Sequence, residues 1–359
     1  MTTTPQPPQP PDEPDRTPEG AAGAGTLGRD PLEVAADAVD DAAGALQPEE
    51  LAAMERLDQP RRVLFVHAHP DDESIGNGLT IARYAAAGAG VTLLTATRGE
   101  QGEVIPAELA GLGPDELAEH RTRELAAATE ALGVDDHRFL TRPDGSGYRD
   151  SGMVWLAPGV AGTGEDLDPR ALTAADVEEV AERVAEVVRE VRPQVVVTYE
   201  PGGGYGHPDH VRVAEATRRA LVLAAGDRHD GSVPWQVAKV YETVQPESLT
   251  RAALRALAAA GLADVPDPDG PLPSVVVPDE EVTTAVDGAE HVAAKLAALR
   301  AHASQVTVDL EGREPVMRLS NRVPQPVLPV EHFRLVHGVA SGPFDDAGRE
   351  TDLFAGVAL

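Results

Sequence analysis

Arg62-Val63-Leu64-Phe65-Val66 runs directly into His67-Ala68-His69-Pro70-Asp71-Asp72-Glu73, and this junction decides the fold. The first five residues form a short, almost unbroken apolar run, as a strand buried on both faces requires. The next seven crowd two imidazoles and three carboxylates into a turn, and a helical pattern follows from Gly76 to Ala87. The same arrangement recurs far downstream. Gln194-Val195-Val196-Val197-Thr198-Tyr199 leads through Gly202-Gly203-Gly204 to Tyr205-Gly206-His207-Pro208-Asp209-His210, and a helix follows to Ala225.

The elements around these two junctions alternate in type. A second strand spans Val91–Thr97, a helix Asp115–Leu132, a short strand His137–Leu140 and a strongly periodic helix Ala174–Val191; residues 143–170, rich in Gly, Pro and Asp, read as a surface excursion. Strands alternating with helices imply βαβ units. The expected fold is therefore α/β, Rossmann-like and doubly wound, a mostly parallel sheet with helices on both faces. Beyond residue 235 the alternation loosens into strands at Val237–Thr243 and Ser274–Val277 and helices over 247–261 and Glu290–Ala303. This stretch reads as a smaller C-terminal α+β portion, in which the short strands and turns of 304–359 complete the same domain as a lid or edge.

In such sheets the loops at the carboxyl ends of the strands face the ligand crevice. Both histidine-rich loops fall there. Imidazoles and carboxylates together bind a divalent metal and leave room for water, which points to a metal-dependent hydrolase. His69 and Asp72 are close enough in sequence to reach one metal, while Asp71 projects differently and is free to act as a base. Helix capping alone would explain Asp71, Asp72 or Glu73, because acidic residues are favoured at a helix N-terminus. It does not explain two histidines beside them. The second loop, taken alone, reads equally well as a glycine turn with an Asp/His cap; its pairing with the first decides the matter. The run Thr97–Glu103 also follows a strand into the crevice, with a solvated loop as the equal alternative. His120, His137, His229, His291, His332 and His337 are scattered and read as structural, as does His302 on its helix.

Composition narrows the field. A net charge of −30 disfavours nucleic acid or an anionic membrane as partner. Residues 1–30 read as a disordered Pro-rich acidic tail, 31–58 as an acidic helical extension, and 60–359 as the folded domain. Cysteine is absent, so any metal must be held by His, Asp or Glu. No apolar run is long enough to span a bilayer, and the start lacks a secretory pattern, so a cytoplasmic enzyme is expected.

With these residues in view, the chain from about Arg61 to its C-terminus resembles the LmbE/PIG-L family of zinc-dependent N-acetylglucosaminyl deacetylases. The two His-Pro motifs carry the resemblance. Asn77-Gly78, Arg149-Asp150-Ser151-Gly152-Met153 and Glu350–Gly356 favour the branch that acts on N-acetylglucosaminyl-inositol in mycothiol biosynthesis. The resemblance implies one Zn2+ per subunit, with Fe2+ as the other candidate, held by His69, Asp72 and His210. It implies Asp71 as general base. His207 is the imidazole that stabilises the transition state or protonates the leaving amine, best as an imidazolium held by Asp209, and Tyr205 lines the site. Arg121, Asp150 and Glu103 fall on positions that contact the sugar and inositol. The expected partner is a small amino-sugar inositol substrate, and a homo-oligomer is left open. A mycothiol S-conjugate amidase, a deacetylase of another GlcNAc conjugate and a non-catalytic scaffold are the competing readings. The family pattern offers no counterpart for residues 1–58.

Overall fold

The computed structural model describes residues 60–157, 160–162, 164, 167–227, 232–310 and 315–358. The chain divides into two units, Met1–Arg56 and Leu57–Leu359, and every described residue lies in the second. The expected tail and helical extension, and His229, fall outside the described residues.

Strand β1 (Arg62–His67) is followed by helix α1 (Asp72–Ala86), β2 (Gly90–Thr95), α2 (Pro114–Leu132) and β3 (Asp136–Phe139). A small hairpin, β4 (Val154–Ala157) and β5 (Val160–Gly162), occupies the expected surface excursion. Helix α3 (Val177–Val191), strand β6 (Val195–Tyr199), one short turn at Gly203–Gly206 and helix α4 (Pro208–Ala225) come next. The remainder is β7 (Lys239–Pro246), α5 (Glu247–Ala259), β8 (Val276–Val277), β9 (Thr284–Asp287), α6 (Val292–Ala301), β10 (Thr307–Asp309), β11 (Val316–Arg318), β12 (Gln325–Pro326) and β13 (Val330–His337).

The main sheet runs β3-β2-β1-β6-β7-β13-β9, with β8 paired to the end of β7. Strands β3, β2, β1, β6 and β7 are parallel, whereas β13 is antiparallel to both of its neighbours. Strand order reverses between β1 and β6, and that switch point opens the crevice at their carboxyl ends. Alternation along β1 feeds two cores. Leu64 and Val66 pack with Val180, Val184 and Val188 of α3 and Val213 and Ala220 of α4. Val63 and Phe65 pack with Ile81 of α1, Leu125 and Leu132 of α2 and Ala298 of α6. Burial on both faces is why the strand is apolar throughout.

The smaller C-terminal portion is present as expected, and its tail completes one end of the main sheet. Strand β13 enters the main sheet between β7 and β9, while β10, β11 and β12 form a separate small sheet. Both lysines of the chain are buried in this half, each on a glutamate. Lys239 Nζ lies 2.5 Å from Glu350 Oε1, and Lys295 Nζ lies 2.7 Å from Glu331 Oε1. Glu331 also accepts from the main-chain N–H groups of Leu79 and Thr80, so it ties β13 to α1. Lys295→Ala would leave that carboxylate buried without its cation, and is expected to cost about 3–5 kcal/mol of stability. A calorimetric melt against the native chain measures this.

Candidate active site

Helix α1 begins at Asp72, earlier than its periodicity indicates, and its first turn carries Asp72 and Glu73. Asp71 occupies the N-cap position, yet its side chain makes no capping hydrogen bond. Its φ is 121°, a conformation that costs a residue with a side chain of order 1–3 kcal/mol and persists only where the surroundings impose it. The carboxylate turns instead to Arg121, whose Nη2 donates to Oδ2 at 3.1 Å. The capping explanation therefore fails for Asp71.

Three side chains from the two loops meet. His69 Nδ1 lies 3.2 Å from His210 Nε2 and 3.5 Å from Asp72 Oδ2, and His210 Nε2 lies 3.3 Å from Asp72 Oδ1. Donors around one tetrahedral zinc stand roughly 3.3 Å apart. The outer partners fix which nitrogens face inward. His69 directs Nε2 to Asp209 at 3.2 Å, with Asp150 at 3.6 Å, which leaves Nδ1 as the inward ligand atom. His210 directs Nδ1 to the Gly203 carbonyl at 3.2 Å, leaving Nε2. Two nitrogens and a carboxylate, at cation-binding separations and with both tautomers set, fit a divalent metal. His207 also lies within reach of His69 and His210, and Asp150 and Asp209 form a second group with His69.

The electrostatics agree with a cation site. Burial works against a charge on His69, but Asp150, Asp209 and Asp72 outweigh it and push the imidazole well above its ordinary range. Burial alone would raise Asp72; the His210 and His69 rings hold it well below the usual carboxylate range. Burial raises Asp71 to about 6, with Arg121 pulling against it and Asp72 adding to it.

His207 is placed differently from the expectation. Its Nδ1 accepts the Asp209 main-chain N–H at 3.1 Å, as the cap of α4. The Asp209 carboxylate is taken by His69 and by the main chain and hydroxyl of Ser151. Burial, together with His69 and His210, moves His207 well below its ordinary value. The Asp209 carboxylate therefore does not hold the ring, and an Nδ1 that accepts an N–H carries no proton, which disfavours the expected imidazolium. Tyr205, half-buried, sets its ring edge-on to His207 and His210.

The three residues expected at the sugar and inositol divide. Arg121 is buried, and its guanidinium donates to the carbonyls of Pro70 and Gly99 as well as to Asp71. Asp150 is buried beside His69 and accepts from the main chain of Gln101 and Gly152. Glu103 alone presents an exposed carboxylate on the loop after β2.

Several contributors escaped the sequence reading. Tyr199, the last residue of β6, stacks on His210 at 4.3 Å and donates to Asp72 Oδ2 at 2.7 Å. Its position at a strand end facing the crevice is the signal that could have found it. Glu200 accepts from the N–H groups of Gly202 and Gly204 and from Ser274, and so shapes the glycine turn. Gly203 has a φ of 67°, and a Cβ there would stand 2.8 Å from Val211 N and 2.9 Å from His210 Cβ. Gly203→Ala is expected to displace His210 and weaken metal binding about 10–100-fold, measured by chelator competition.

A family model described as GlcNAc-PI de-N-acetylase, PIG-L, matches residues 64–221. A relative from Kineococcus radiotolerans is 75% identical over 361 residues, covering 100% of this chain and 99% of that one. The chain belongs to the PIG-L family. The Kineococcus relative is named a "1D-myo-inositol 2-acetamido-2-deoxy-alpha-D-glucopyranoside deacetylase". PIG-L relatives under the same name from a Nocardioides species and from Thermobispora bispora are 50% and 48% identical, each over 83% of this chain and 99% of its own length. The Kineococcus match runs through residues 1–58, so the acidic extension has a counterpart in that relative after all. Among the described residues, no helix is long and apolar enough to cross a membrane.

Proposed function

We propose that this chain hydrolyses the N-acetyl group of N-acetylglucosaminyl-inositol, releasing acetate and glucosaminyl-inositol, the deacetylation step of mycothiol biosynthesis. The observation that carries this reading is the 75% identity, over the whole chain, with a deacetylase named for that substrate. His69, Asp72 and His210 would hold the metal, which we take to be zinc; the same donors would also accept ferrous iron. A divalent cation bound there polarises the acetyl carbonyl and acidifies water.

The chain's own groups supply the rest. Asp71 takes the proton of the attacking water, its carboxylate aimed by Arg121. His207 donates Nε2–H to the carbonyl oxygen as charge develops on it, a role its neutral form suits. The departing amine needs a proton, and Asp71, having received one, returns it. Tyr205 closes the side of the site against His207 and His210. Arg121 acts on the base rather than on the sugar, and Glu103 is left as the carboxylate available to inositol hydroxyls.

Acetate release from N-acetylglucosaminyl-inositol, with a mycothiol S-conjugate assayed in parallel, tests the reading. Turnover of the first with little of the second is expected. Cleavage of the conjugate alone would make the chain an amidase of the same family, and turnover of neither would overturn the proposal.

A further inference from the structure

We infer that His302 is a positioning residue for Asp71, acting through Glu73 and the Asp71 main chain. The inference rests on Asp71 being the base. His302 caps the end of α6 and is fully buried; its Nε2 lies 2.7 Å from Glu73 Oε1, which is buried as completely. The other oxygen of Glu73 accepts the main-chain N–H of Asp71 at 3.0 Å. Ser74 Oγ donates to Glu73 Oε1 at 2.5 Å. Asp71 is thus gripped by two arms. Arg121 fixes its carboxylate, and Glu73 fixes its backbone at the φ of 121° that brings the side chain away from the helix.

The far end of this arm is itself anchored. The His302 carbonyl accepts from Gln305 and Val306, Ser304 donates through N and Oγ to Glu124 of α2, and the Ile105 N–H donates to the Ser304 carbonyl. His302 therefore presents Nε2 from a fixed frame that also carries the loop after β2. Stability alone gives little reason for the pair, since well-packed apolar residues replace a buried ion pair at no loss. Its location does give a reason: it braces the one strained main-chain position of the site, directly at the base. The sequence links these residues by nothing more than two buried positions 229 apart.

Glutamine and asparagine at 302 separate the role from folding. The amide nitrogen of Gln reaches the place of Nε2, and that of Asn falls short. In full-length, zinc-loaded protein, His302→Gln is expected to keep kcat within about threefold. His302→Asn should lose about 100-fold in kcat with KM and bound zinc unchanged, the usual scale for a misplaced reacting group. In an Asp71→Asn background, His302→Asn should cost nothing further, because the position of a missing base no longer matters. Glu73→Asp shortens the arm by one methylene and keeps its charge; it should reproduce the loss confined to kcat even where the asparagine variant does not fold. Native kcat in both His302→Asn and Glu73→Asp, zinc lost in step with activity, or full additivity with Asp71→Asn would each overturn the inference. Near-native activity of Asp71→Asn itself would instead refute the base, and a deep loss there beside an unaffected His302→Asn would refute the positioning role alone.

Discussion

Asp71→Asn is expected to keep its bound metal while kcat for deacetylation falls about 10²–10⁴-fold, the contribution of a well-placed general base. Asparagine preserves the shape of the side chain and an oxygen for Arg121 Nη2, which donates to Asp71 Oδ2 at 3.1 Å. It also tolerates positive φ better than most residues, so the backbone at 121° need not move. What it cannot do is accept a proton. The atoms that face the metal position belong to His69, Asp72 and His210, whose mutual separations of 3.2–3.5 Å do not involve Asp71. Steady-state acetate release and zinc content, measured on the same preparation, check both halves of the expectation. Metal loss equal to the loss of rate would make Asp71 a ligand rather than a base.

His210→Ala is expected to lose metal and activity together. On the proposed assignment the ring supplies one of three ligands, and its loss would leave a two-ligand site open to solvent. The damage extends past coordination. His210 stacks on Tyr199 at 4.3 Å, and Tyr199 in turn donates to Asp72 Oδ2. Removing the imidazole therefore loosens the orientation of a second ligand as well. His69→Ala should behave alike, since His69 lies in contact with every other member of the cluster. Activity at the detection limit and sub-stoichiometric zinc after dialysis are the expected readings; a variant holding one zinc per chain would exclude His210 as a ligand.

The contrast between these two substitutions shows what the sequence carries and what it hides. Val63–Val66 and Val195–Val197 are legible because burial on both faces demands an unbroken apolar strand. That imidazoles and carboxylates gather at both strand ends is legible because capping does not account for the histidines, while the choice of His69, Asp72 and His210 among them came from the family resemblance. Strand β13 was not legible. Its Val330-Glu331-His332-Phe333-Arg334-Leu335 sequence places charged groups where a sheet strand should be apolar, and a buried Glu331 is explained by Lys295, the amides of α1 and the Thr80 hydroxyl. His302 was set aside as a lone helical histidine for a similar reason: its partner Glu73 is distant in sequence, and such pairings leave no periodic trace. The unprotonated Nδ1 of His207 depends on a main-chain hydrogen bond at the start of α4, which residue identity alone does not specify.

The central claim is that one divalent ion, held by His69, Asp72 and His210, and one base, Asp71, perform the deacetylation. Titrating zinc into chelator-stripped protein while following acetate release from N-acetylglucosaminyl-inositol tests it most directly. The account predicts no turnover at the start, a linear rise, and saturation at one zinc per chain, with Asp71→Asn binding the same single ion and staying nearly inactive. Full turnover by the stripped protein would contradict it.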